Sequence, residues 1–136
     1  MRFAISYVSS VNPNLTETQI QEVLNFSRNW NNDHDITGIL LYSEGNFFQV
    51  LEGEKELLKT LFSRILIDKR HQNVMVIFEK EVSQPKFEDY QSDFISLDSR
   101  FEPEEIDVYF SQIEKLNPNI QSSVRYILNK FTEGIK

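Results

Sequence analysis

Gln49 stands in the middle of Asn46-Phe47-Phe48-Gln49-Val50-Leu51-Glu52, an otherwise hydrophobic stretch. An amide buried there needs partners for its carbonyl and its NH₂, and leaving them unpaired costs about 1–3 kcal/mol. Tyr7 ends the alternation Phe3, Ile5, Tyr7, and its hydroxyl also needs a partner once buried. Asn31 falls at the end of an amphipathic stretch. A phenol and two amides form a hydrogen-bonding trio, and the three could converge at one edge of the space between helices and sheet. Taken singly, each has an ordinary reading. A strand tyrosine is usually core or surface, a strand glutamine usually faces solvent, and an asparagine at a helix end usually caps it.

Other chemistries are poorly supplied. The chain has no cysteine, which removes disulfides and thiolate catalysis and is compatible with a reducing cytoplasm, the expected location. His34 and His71 are the two imidazoles, too few for a histidine-rich metal site, so no metal is expected. Asp68 and His71 could serve a hydrolase, but no motif places a serine or other nucleophile beside them. The formal net charge of −7 repels phosphate backbones and anionic lipid, which argues against nucleic-acid or membrane-surface partners. The N-terminal residues read as a strand and not as a signal peptide. Runs such as Ile39-Leu40-Leu41-Tyr42 are far too short to span a bilayer.

The elements that must position the trio follow from periodicity. At 136 residues the chain fits one compact domain, and its 11 phenylalanines foretell an aromatic core or pocket. Phe3 to Tyr7 alternates as a first strand, and Asn12-Pro13-Asn14 is a turn. Thr16-Glu17-Thr18-Gln19 has the form of a capping box and opens a helix reaching about Asn31. Thr37–Ser43 and Asn46–Glu52 read as strands joined by a tight Glu44-Gly45 hairpin, with Gly53 ending the second. Leu57, Leu58, Leu61, Phe62, Ile65 and Leu66 recur at helical spacing. Val74, Val76 and Phe78 then share one face of a strand, with Met75 and Ile77 on the other, and a weaker strand follows near Phe94–Leu97.

The order βαββαββ predicts an α+β, ferredoxin-like fold with two helices on one face of an antiparallel sheet. Phe47, Gln49 and Leu51 point one way, while Phe48 and Val50 point the other, so both sheet faces are apolar. Glu104–Leu116 and Ile120–Phe131, separated by Asn117-Pro118, read as amphipathic helices free to cover the outer face. The expected division is residues 1–97 for the βαββαββ domain and 98–136 for a helical extension.

Four blocks carry a family resemblance: Tyr7-Val8-Ser9-Ser10; Asn31 through Ile36-Thr37-Gly38-Ile39-Leu40-Leu41-Tyr42; Gly45-Asn46-Phe47-Phe48-Gln49-Val50-Leu51-Glu52-Gly53; and Asp68-Lys69-Arg70-His71. Together, at these spacings, they resemble the BLUF family, sensors of blue light using FAD, over roughly residues 1–97.

The resemblance implies a non-covalent flavin, FAD or the shorter FMN or riboflavin, lying between the two helices against the sheet. Asn31 would hydrogen-bond the polar edge of the ring, with Asn32 a neighbouring candidate and Trp30 beside the ring. Val23 and Ile65 would sandwich it, and Arg64, Asp68, Arg70 and His71 would hold its polar side and the ribityl-phosphate chain. Tyr7 would give an electron and a proton after light absorption, and Gln49 would relay between Tyr7 and the flavin. The rearranged hydrogen bonds would appear as a small red shift. No substrate is turned over, so a switch is expected and not an enzyme. Signalling would run through the sheet and C-terminal helices to a partner protein or to the oligomeric state. The sequence departs from the family on the last strand, where Tyr90 and Ser92 stand in place of the usual tryptophan and methionine. That departure leaves a second reading, a non-photoactive ferredoxin-like interaction module.

Overall fold

The computed structural model describes residues 2–43, 45–82, 94–98 and 106–131. Period-two alternation becomes strand β1, Arg2–Val11, and the capping box then starts helix α1, Glu17–Asp33. Thr16 Oγ1 accepts from the Gln19 backbone N–H at 3.2 Å while Gln19 Oε1 accepts from the Thr16 N–H at 2.9 Å, so two orphan helix donors are satisfied reciprocally. Strands β2, Thr37–Ser43, and β3, Asn46–Glu54, pair up to Ser43 opposite Asn46. Gly45 takes φ +82° in the turn between them, a conformation open to glycine and strained for most other residues. Glu54 caps helix α2, Lys55–Ile67, its side chain accepting from the Leu57 N–H at 2.8 Å.

Strand β4, His71–Val82, and strand β5, Phe94–Asp98, complete a five-stranded sheet in the order β4-β1-β3-β2-β5. The first four strands have the ferredoxin-like order, all antiparallel. β5 differs from the all-antiparallel expectation, because it runs parallel to β2. Gly38 sits at that junction. A Cβ there would lie 1.9 Å from the Val50 carbonyl oxygen and 3.1 Å from the Phe94 ring, so the three strands pack together only around a glycine.

The sheet has a core on each face. Phe3, Ile5, Tyr7, Leu40, Phe47 and Leu51 pack under Ile20 and Leu24 of α1 and Leu58 and Phe62 of α2. On the other face Ala4, Ile39, Leu41, Phe48 and Val50 meet α3, Ile106–Ile113, and α4, Pro118–Phe131, through Ile113, Ile120, Val124 and Leu128. α3 stops at Ile113, short of the expected Leu116. Leu116 is nonetheless buried in the outer core, from the loop before α4. Pro118 occupies the first turn of α4, where its missing N–H costs no bond.

A buried ion pair ties these layers together. Glu52 of β3 accepts from Arg2 Nη2 at 2.9 Å and from the Asn117 backbone N–H at 2.7 Å, fastening the loop before α4 to the sheet. β4 departs from simple alternation. Its pairing with β1 shifts between Ser6 and Tyr7, leaving Ile77 as an extra residue on β4. The phase therefore flips along the strand. Val74 packs on the inner core and Phe78 on the outer one, and Met75 and Val76 are exposed.

Candidate functional site

Between α1, α2 and the inner sheet face lies a cavity of about 250 Å³. α1 contributes Val23, Phe26, Ser27, Trp30 and Asn31, one stripe at i, i+3, i+4, i+7 and i+8. α2 contributes Leu61, Arg64 and Ile65, and the segment after it Asp68, Arg70 and His71. The sheet supplies Tyr7, Leu40, Phe47 and Gln49. Val23, Leu40, Leu61 and Ile65 make part of the wall apolar, and about half of the lining residues carry polar or charged groups.

Register brings the main pair together. Tyr7 on β1 lies directly opposite Gln49 on β3, which places both side chains on the same face. Both are buried, and Gln49 Nε2 donates to Tyr7 Oη at 2.5 Å. Tyr7 is boxed by Phe62, with ring centroids 5.6 Å apart, and by His71 edge-on at 6.0 Å. Burial pushes the Tyr7 phenol well above its ordinary value of 10.0; the bond from Gln49 opposes that shift and the Asp68 charge adds to it. The phenol is therefore neutral across the physiological range.

Asn31 is 2% exposed, and its backbone carbonyl closes α1 by accepting from the His34 and Ile36 N–H groups at 3.2 and 2.9 Å. The cap thus uses the main chain. Asn31 also lines the cavity, and its Oδ1 is buried with no hydrogen-bond partner among the described residues. An acceptor in this state costs about 1–3 kcal/mol unless a ligand donor meets it.

Asn32, one position on, does not line the cavity. Its Nδ2 donates to the Phe94 carbonyl at 3.0 Å and its Oδ1 accepts from the Phe94 N–H at 2.8 Å, so it pins β5 to α1. His71 lines the cavity, but both ring nitrogens are engaged. Nε2 lies 2.6 Å from the Ile65 carbonyl, which can only accept, and Nδ1 lies 2.8 Å from Ser9 Oγ. It therefore latches the end of α2 to β1. At the rim Arg70 grips Asp68, Nη2 to Oδ2 at 2.6 Å and Nε to both carboxylate oxygens at 3.0 Å. That bond holds the Asp68 carboxyl below its ordinary range, and Asp68 in turn raises the Arg70 guanidinium. Arg64 forms no ion pair among the described residues. Trp30 stacks on His34, ring centroids 3.7 Å apart and planes 14° from parallel.

Phe26, Ser27, Leu40, Phe47 and Leu61 complete the lining and were not singled out from sequence. Helical spacing carried part of the signal, since Ser27 is four residues from both Val23 and Asn31, and Leu61 is four before Ile65. Phe47 shares the face of Gln49 by strand alternation, whereas Leu40 needed the strand pairing. Tyr90 and Ser92 lie outside the described residues. No cluster of three or more potential metal ligands occurs among the described residues, and none of their helices is long and apolar enough to cross a membrane.

Fold and site define a class: an α+β domain with a cavity of mixed apolar and polar lining between two helices and the sheet. A family model described as BLUF, sensors of blue-light using FAD, matches residues 3–93, and the chain belongs to that family. BLUF domains bind flavin and sense light; they are not catalytic. The chain is 33% identical over 75 residues to the blue light- and temperature-regulated antirepressor BluF of Escherichia coli (strain K12), covering 55% of this chain and 19% of that protein. It is 30% identical over 80 residues to the photoactivated adenylate cyclase subunit alpha of Euglena gracilis, covering 59% of this chain and 8% of that one. It therefore spans a small part of these relatives. Among solved structures, the BlrP1 BLUF domain superposes with a TM-score of 0.63 at 32% identity, over 80% of this chain and 76% of that one.

Proposed function

We propose that this chain is a blue-light photoreceptor in which Tyr7 and Gln49 are the switch for a flavin seated in the cavity. The observation that carries this reading is the buried Tyr7–Gln49 bond on the floor of a cavity whose other buried amide, Asn31, holds an unpartnered acceptor. The residues fit a flavin ring: Val23 and Ile65 for its faces, the Asn31 oxygen for a ring N–H, and the Gln49 amide for a ring carbonyl. Bound flavin supplies blue-light absorption and an excited state that accepts an electron.

The chain's own residues supply the rest. Burial keeps Tyr7 protonated, so its phenol holds a proton to give after an electron. Gln49 makes one side-chain hydrogen bond among the described residues, to Tyr7, and its other amide end is free to serve the cavity. Turning the amide by half a revolution would let Tyr7 donate to Oε1 and aim Nε2 at the cavity. The end presented to the ligand then changes from acceptor to donor, which is a hydrogen-bond switch without turnover.

β3 also carries the output. Its outward residues Phe48 and Val50 pack in the core that holds α3 and α4, and the Ser6 hydroxyl donates to the Gln49 carbonyl at 3.0 Å from the outer side. We assign residues 1–97 to flavin binding and 98–136 to a helical extension that passes the signal to a partner protein or to the oligomeric state. A relative named as a light-regulated antirepressor supports a partner protein.

The test is an absorption spectrum of the flavin-loaded protein before and after blue light. A red shift that recovers in the dark, and is lost in Tyr7→Phe and in Gln49→Leu, is the expected result. Bound flavin without a shift would overturn the switch. A colourless protein that cannot be loaded with any flavin would leave an interaction module with this fold.

A further inference from the structure

Tyr7 has a second polar neighbour besides Gln49. The His71 imidazole stands edge-on to the Tyr7 ring at 6.0 Å and to the Phe47 ring at 6.4 Å. Its two nitrogens are held by Ile65 and by Ser9. Ser9 is outside the cavity lining. It is 3% exposed, stands two residues beyond Tyr7 on the same face of β1, and lies directly opposite Phe47 on β3. The bonding fixes where the ring hydrogen is. The Ile65 carbonyl, 2.6 Å from Nε2, can only accept, so Nε2 donates to it. In the neutral imidazole Nδ1 is then a bare acceptor, and the Ser9 hydroxyl, 2.8 Å away, is its donor. The Ile65 carbonyl also accepts from the Asp68 N–H at 3.1 Å, where α2 ends. One chain of bonds thus runs from β1 through the imidazole to the end of α2. It passes beside the Tyr7 ring, while Gln49 holds the Tyr7 hydroxyl.

We propose that Ser9 is a positioning residue of the Tyr7–Gln49 switch: its hydroxyl holds His71 as the Nε2–H tautomer against the Tyr7 ring and so prolongs the light state. The inference rests on the flavin reading of the cavity. Return to the dark requires the Gln49 amide to turn back beside Tyr7, whose ring is packed by Phe62 and His71. Without the Ser9 hydroxyl, Nδ1 has no donor and the imidazole is held at one nitrogen only. A loosened imidazole gives the Tyr7–Gln49 pair room to move. Lowering the barrier by the worth of one neutral hydrogen bond makes recovery about twofold to tenfold faster.

Two measurements on the full chain test this. Nitrogen magnetic resonance of the isotope-labelled, flavin-free protein reads the His71 tautomer, and absorption of the flavin-loaded protein after a blue-light pulse reads recovery. In the wild type Nε2 is expected to carry the hydrogen and Nδ1 to be a hydrogen-bonded acceptor. In Ser9→Ala the Nδ1 resonance should move downfield, toward an unbonded acceptor, and recovery should quicken about twofold to tenfold. Ser9→Thr, which keeps the hydroxyl, should return both to wild type. An Nδ1–H tautomer in the wild type would overturn the proposal. So would recovery in Ser9→Ala at the wild-type rate, or equal acceleration in Ser9→Thr, which would make packing and not the hydroxyl the cause. A wild type that shows no red shift is a different result: it overturns the flavin switch itself, while the resonance of the flavin-free protein still decides the bond from Ser9 to His71.

Discussion

Asn31→Leu should separate what this residue does for binding from what it does for stability. The side chain is buried, its Oδ1 has no partner among the described residues, and its backbone carbonyl, which any residue supplies, makes the helix cap. Leucine is close to asparagine in shape and removes the unpaired acceptor. The flavin-free variant should therefore be at least as stable as wild type, and up to about 1–3 kcal/mol more stable if the full desolvation cost is recovered. Flavin binding should weaken by a similar amount, about 5- to 150-fold, because the ring N–H loses its acceptor. The two effects combine in a ligand-dependent unfolding measurement. With flavin at 100 times the wild-type dissociation constant, binding adds about 2.7 kcal/mol to the unfolding free energy. A roughly 30-fold weaker variant gains only about 0.9 kcal/mol under the same conditions. Urea denaturation with and without flavin, followed by circular dichroism, reads both numbers. Flavin affinity within twofold of wild type would refute the assignment of Asn31 to the ligand. A flavin-free variant weakened by more than about 1 kcal/mol would show that the amide is satisfied within the protein.

Glu52→Ala should cost about 1–3 kcal/mol in the same denaturation, because it removes the buried carboxylate to which Arg2 Nη2 and the Asn117 N–H both donate; a loss under about 0.5 kcal/mol would count against the latch between β3 and the loop before α4. The raised Tyr7 phenol sets an alkaline limit. The folded state keeps the proton that the unfolded chain releases above the ordinary value of 10.0, so stability present below pH 10 is lost as pH rises beyond it. The slope reaches about 1.4 kcal/mol per pH unit, and Tyr7→Phe should remove it; an unchanged alkaline slope in that variant would contradict the burial of the phenol.

Much of the architecture was legible because it is local. The capping box at Thr16 and the helical spacing of Leu57 to Leu66 marked α1 and α2 within a turn. Apolar residues on both faces of β3 required a second layer, and the stripes on α3 and α4 were there to provide it. What escaped is non-local. No feature of residues 94–98 reveals that they run parallel to β2, and nothing within β4 marks the two places, one of them at Ile77, where its pairing with β1 shifts. Asn31 and Asn32 are the same amide one position apart, but that step turns a side chain by roughly 100° around a helix. One reaches the cavity and the other holds β5.

By itself, then, the sequence determined which groups are available: a phenol and an amide on apolar strands, a second amide at a helix end, and two sheet faces in need of cover. Only the tertiary structure decided that Tyr7 and Gln49, 42 residues apart, bond to each other. It also made a buried, unpartnered acceptor of Asn31, and latches of Asn32 and His71. The physical reason is register. A one-residue slip of β1 against β3 keeps every residue type and every strand, but turns Tyr7 to the opposite sheet face from Gln49. The burial of the inner and outer cores together is what forbids that slip.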